Sequence, residues 1–114
     1  MVTNAENQID RDFDNFYVSY ASLDLDDSTN PGTKSWAYIT CLNKNQMVGT
    51  IVFYERQPPP INSYRGSPPN YNLRINFHIS RFNDIINILR YHRPLSLSLD
   101  LVRLDGAVYG GGMT

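Results

Sequence analysis

Cysteine is nearly missing from this chain of 114 residues: Cys41 stands alone, so no internal disulfide can staple the fold and a buried core must do that work. Nor is there a run of roughly 18 apolar residues, which removes any transmembrane helix candidate. Lysine occurs only at Lys34 and Lys44, and the formal net charge is −1, a poor match to a protein that grips polyanions by bulk charge. The two histidines, His78 and His92, have no Cys, Asp or Glu at ligand spacing, so neither a metal nor any other cofactor is expected. The first residues, MVTNAENQIDRDFDN, show neither a basic start nor an apolar stretch, and no Asn-x-Ser/Thr acceptor occurs. With one unpaired cysteine, these features lead to the expectation of a cytoplasmic protein.

What is present suits one small domain. Apolar residues make up 41% and charged residues 18% of a length that leaves no room for a second core. Acids crowd the beginning: Glu6, Asp10, Asp12, Asp14, Asp24, Asp26 and Asp27 face only Arg11 within the first thirty residues. Residues 1–13 lack apolar period and read as a flexible acidic arm. From Asp14 onward Phe16, Val18 and Tyr20 alternate as in a strand, and the phase then slips by one to Ala21, Leu23 and Leu25, the mark of a bulge or bend. DDSTNPGT, residues 26–33, reads as a turn.

Residues 35–42 (SWAYITCL) and 47–56 (MVGTIVFYER) are rich in aromatic and β-branched residues, and together they predict a hairpin with a loop over residues 43–46. Alternation puts Trp36 and Tyr38 on one face of the first strand and Ala37, Ile39 and Cys41 on the other. The segment QPPPINSYRGSPPNY, residues 57–71, holds five of the seven prolines and predicts a stiff surface loop, suited to a protruding arm or a clasp on a neighbour. Its Pro68-Pro69-Asn70-Tyr71 also matches a short motif bound by polyproline-reading domains, a pattern of low specificity.

Next come Leu73, Ile75, Phe77 and Ile79, alternating with Arg74, Asn76 and His78, a half-buried strand. Ser80 is placed to cap a helix whose apolar positions Phe82, Ile85, Ile86 and Leu89 keep helical spacing, with Asp84 in its first turn, Arg90, His92 and Arg93 at its end, and Pro94 to stop it. Leu95, Leu97, Leu99 and Leu101 form another one-faced strand. Asp105-Gly106 predicts a two-residue hairpin pairing residues 102–104 with 107–109, and residues 110–114 read as a flexible glycine tail. The resulting expectation is an α+β fold, a mainly antiparallel sheet of about six strands in the order ββββαββ with one helix on one face.

The stretch SRFNDIINILRYHRPLSLSL, residues 80–99, resembles part of small uncharacterised bacterial proteins carried on mobile gene (integron) cassettes. The likeness covers about a fifth of the chain and implies no catalytic or binding residue.

Chemistry for catalysis is sparse. Cys41 sits mid-strand among apolar neighbours, where a thiol is inert, and the remaining acids do not pair on ordered elements, so no enzyme is expected. The clearest surplus is aromatic, 12% of residues, mostly tyrosine on strands. Rings with polar tips suit an interface or shallow pocket, which makes Trp36, Tyr38, Tyr54, Tyr64 and Tyr71 the candidate site for a small apolar or cationic ligand or a protein partner. Unsatisfied sheet edges in so small a chain add the expectation of a homodimer. The alternative is nucleic-acid binding through Arg74, Arg81, Arg90, Arg93 and Arg103, with Tyr91 and Tyr109 nearby to stack on bases.

Overall fold

Leu95, Leu97 and Leu99 are fully buried, as their alternation requires, but the sheet that carries them is a separate one. The computed structural model describes residues 7–20 and 35–113, with only the backbone at 35, 36, 112 and 113. The expected phase slip at 21–25, the turn at 26–33, the start of the arm and Thr114 lie outside the described residues.

Among the described residues, eight strands and one α-helix form an α+β fold of two sheets, in place of the single six-stranded sheet expected. The strands are β1 (Gln8–Phe13), β2 (Asn15–Tyr20), β3 (Ser35–Asn43), β4 (Gln46–Tyr54), β5 (Ser63–Arg65), β6 (Asn72–His78), β7 (Arg93–Asp100) and β8 (Gly106–Met113). One sheet has the antiparallel order β1-β7-β8. The other has the order β2-β3-β4-β6-β5, and β4 with β6 is its parallel pair.

The expected flexible arm is corrected for residues 8–13, which are β1. Ile9 and Phe13 stand opposite Leu99 and Leu95, with Arg11 between them opposite Leu97. A charged residue at the middle inward position hides the period. Asp14 is the bend that carries the chain from one sheet to the other, its N–H donating to the Leu42 carbonyl at 2.9 Å. The expected tail is corrected as well, since 110–113 belong to β8. Glycine there makes room for the helix: a Cβ on Gly110 would lie 2.4 Å from the His92 Cβ and 2.9 Å from the Ile88 Cγ2.

The inner faces of the two sheets make one core. Ala37, Ile39, Cys41, Ile51, Phe53, Leu73 and Ile75 meet the β7 leucines, and helix α1 (Phe82–Tyr91) adds Ile85 and Leu89. The sheets touch at Gly49, where a Cβ would fall 2.4 Å from the Leu97 Cδ1. Around the start of α1 an aromatic group completes the seal, Phe53 meeting Phe82 edge-on at 5.0 Å between ring centres and Tyr20 meeting Phe82 at 5.4 Å.

Local details differ from the reading in three places. The β3–β4 loop is two residues, Lys44 and Asn45, both at positive φ (51° and 68°), the backbone of a primed hairpin turn whose twist matches the strands. The β7–β8 hairpin turns over residues 101–105, earlier than Asp105-Gly106, because the Asp100 carboxylate accepts the N–H groups of Val102 and Arg103 at 2.8 and 2.9 Å. Consequently Val108 pairs with Leu97, and residues 102–104 pair with none of 107–109. Before α1 a 3-10 turn (Ile79–Arg81) intervenes, and the capping side chain is His78, not Ser80. Its Nδ1 accepts the Ser80 N–H at 3.2 Å, which leaves the Nε2–H to donate to the Glu55 carbonyl at 3.1 Å.

The proline-rich stretch is laid along its own sheet, not projected from it. Residues 63–65 form β5 on the edge of β6, and Asn76 continues the attachment by donating from Nδ2 to the carbonyls of Pro60 and Ile61 at 3.1 and 3.0 Å. Asn62 accepts the Asn76 N–H and donates to the Leu104 carbonyl in the β7–β8 turn. Farther along, Arg11 Nη1 donates to the Pro69 carbonyl at 2.8 Å. The strap thereby covers an edge that would otherwise be open to pairing.

Candidate functional site

Alternation along each strand sorts the five-stranded sheet into a buried inner face and an outer one. On the outer face the register aligns one row across all five strands: Tyr17, Thr40, Thr50, Arg74 and Ser63. Beside it run Ser19, Tyr38, Val52 and Asn76. A depression of about 300 Å³ opens here, lined by Tyr38, Thr40, Thr50, Val52 and Arg74. That volume is at the small end of ligand pockets.

The geometry explains its shape. Arg74 and Tyr54 stand four residues apart along the register, about 13 Å at strand rise, so their long side chains reach toward each other. They meet in a 2.6 Å hydrogen bond from Arg74 Nη2 to the Tyr54 hydroxyl. This bridge passes over the Val52–Asn76 row, and Tyr54 itself is only 7% exposed. Thr40 and Val52 form a nearly buried floor, while Tyr38, 42% exposed, is the open wall. Thr50 Oγ1 makes its one described contact with Met47 Sδ at 3.9 Å.

Of the five aromatic candidates, the structure brings Tyr38 and Tyr54 to this face. Tyr64 and Tyr71 lie elsewhere: Tyr64 pairs with Leu73 on the opposite side, and the two rings meet edge-on at 5.5 Å. Tyr71 also packs on the core, so the Pro68–Tyr71 motif is held by its own domain. Trp36 belongs to β3, and its side chain lies outside the described residues.

The five arginines of the alternative are spread over several elements and make separate local contacts. Arg74 is on the outer face just described, and Arg81 pairs with Asp84 at 3.5 Å at the start of α1. Arg90 lies over the Tyr91 ring at 5.8 Å. Arg93 donates to the carbonyls of Leu89 and His92, closing the helix end, and Arg103 pairs with Asp105 at 3.2 Å in the β7–β8 turn.

Thr40, Thr50 and Val52 were not singled out from sequence, although alternation places Thr40 with Tyr38, and Thr50 and Val52 with Tyr54. Arg74 joins them only through the parallel β4–β6 pairing.

A second depression of about 300 Å³ lies on the outer face of the three-stranded sheet, with Ser98 at its base and Asp100, Asp105 and Tyr109 in its lining. Its carboxylates are already engaged. Hydrogen bonds from the Arg103 and Val102 N–H groups hold the Asp100 carboxyl below its usual range, and Asp105 is paired with Arg103. Cys41 is fully buried, and desolvation raises its thiol to about 12. Among the described residues no three His, Cys, Asp or Glu gather as metal ligands. No helix described is long and apolar enough to cross a membrane.

No protein-family model, no curated protein and no solved structure matches the chain. Fold and site together define a small two-sheet α+β domain with a polar, ring-walled hollow on one sheet.

Proposed function

We propose that this protein is a binding module that holds a small ligand on the outer face of the five-stranded sheet. The observation that carries the reading is the hollow between Tyr38 and Arg74, where hydroxyls, a guanidinium and an exposed ring converge over a nearly buried floor. Aromatic wall, polar contacts and rigid strands are what a small-molecule site needs, and the strands hold these groups without a mobile loop. Among the described residues no Cys, His, Asp or Glu lines the hollow to act as a base beside its threonine hydroxyls, which supports recognition over catalysis. The alternative of nucleic-acid binding is less favoured, because four of its arginines are engaged in helix, turn or ring contacts of their own.

The reading is tested by titrating a small-fragment set into isotope-labelled protein and following backbone amide shifts. Saturable shifts are expected at Thr40, Thr50, Val52 and Arg74, and Tyr38→Ala should weaken them several-fold. Shifts confined to other surfaces, or steeply salt-dependent capture of single-stranded RNA in a filter assay, would remove it.

A further inference from the structure

We infer that the ligand of this hollow carries a carboxylate on an aromatic or similarly flat body, an inference that rests on the small-ligand reading above. Charge is the first argument. None of the five strands of this sheet contains Asp or Glu, whereas Arg65, Arg74 and His78 all lie in it. By register, Arg65 shares the outer face with Asn72 and Arg74. The strand carboxylates are gathered on the other sheet, at Asp10, Asp12 and Asp100. A cation entering the hollow would therefore meet Arg74 with no countercharge in the strands around it, which sets aside the cationic ligand that ring content alone suggests.

Donor geometry is the second argument. Arg74 has five N–H donors, and its one described hydrogen bond uses Nη2. The Tyr54 hydroxyl accepts that bond, so its own proton remains available to donate. Thr40 and Thr50 face each other directly across β3 and β4, and Thr50 faces Arg74 across β4 and β6. Hydroxyls and a planar guanidinium in one row present donors to a planar acceptor, and a carboxylate matches the guanidinium fork in both shape and charge. Tyr38 supplies a half-exposed ring against which the ligand's body can pack.

Sodium benzoate, benzylamine and phenyl phosphate, titrated at matched ionic strength, are the probes. Benzoate should shift the Thr40 and Thr50 amides and the Arg74 Nε–H in a saturable way, with benzylamine silent. Arg74→Gln should raise the benzoate Kd by about tenfold or more, and Arg74→Lys by less, because charge without the fork keeps part of the attraction. If Arg74→Gln does not fold, Arg74→Lys decides alone, and an unchanged Kd overturns the proposal. Equal shifts with benzylamine would keep the small-ligand site and refute the carboxylate. Tighter binding of phenyl phosphate than of benzoate would reassign the anion and refute it likewise. Silence toward all three probes would defeat both this inference and the site itself.

Discussion

Gly49 is a point of close contact between the two sheets, and the reason is steric. A Cβ there would stand 2.4 Å from the Leu97 Cδ1 and 2.6 Å from the Leu73 carbonyl oxygen. The leucine tip can swing aside, but the backbone oxygen cannot. Gly49→Ala should cost about 1–3 kcal/mol of stability by overpacking, read as a lowered urea midpoint with an unchanged slope. A midpoint equal to that of the parent would show the sheets farther apart than described. Cys41 gives a second residue-scale test. Its thiol is raised from 9.0 to about 12 by burial, so the folded chain keeps a proton that the unfolded chain releases. Stability is therefore full below pH 9 and declines as the pH rises toward 12. Between pH 8 and 10 the parent should lose about 1.4 kcal/mol more than Cys41→Ala, measured by urea unfolding at both pH values; equal losses would contradict the burial. At this scale the sequence was legible for Ala37, Ile39, Cys41 and the β7 leucines, because alternation alone assigns them to the inside. It was silent on Arg11, whose inward position depends on a carbonyl, that of Pro69, fifty-eight residues away.

Elements were legible where their signals are local. The hydrophobic spacing of Phe82, Ile85 and Leu89 forms α1 with one buried stripe, and Asp84 and Arg90 sit at the ends that the helix dipole favours. The cap was not legible, because a 3-10 turn is inserted before α1: His78, at the end of a strand, caps that turn, while Arg81 at the start of α1 makes no side-chain cap bond. Turns show the same division. DG at 105–106 is a strong hairpin signal, yet Asp100 closes the loop earlier with its own carboxylate, a local hydrogen bond that competes with the expected turn. At the β3–β4 turn the backbone demands positive φ from Lys44 and Asn45, a conformation that costs an L-residue about 1–2 kcal/mol. Replacing the pair by Asn-Gly should raise stability by about 1 kcal/mol, visible as an upward shift of the thermal midpoint. A fall would mean that the turn is not of the primed kind.

For the molecule as a whole, the two sheets share a single core, with Leu97 and Leu99 packed among Ile39, Ile51 and Ile75. The chain crosses between sheets at Asp14, and Asn62 and Arg11 tie the proline strap to both. Neither sheet can separate without exposing the other's inner face. Unfolding should accordingly be one cooperative step, with Trp36 fluorescence and far-ultraviolet circular dichroism tracing the same transition. Two resolved transitions would show that the sheets are independent.

The candidate hollow follows from this division of labour between chain and fold. Alternation within β3 and β4 is a property of neighbouring residues, so the outward direction of Tyr38 and Tyr54 was determined by sequence alone. So was the absence of acids from the segments that become the five-stranded sheet. Which strands lie side by side is a matter of contacts distant in sequence, settled by the competition of whole faces for burial. Tertiary structure alone therefore drew β1 out of the acidic start to pair with β7, set β6 parallel to β4, and placed Arg74 beside Thr50, because local period carries information about which way a side chain points and none about its neighbour across the sheet.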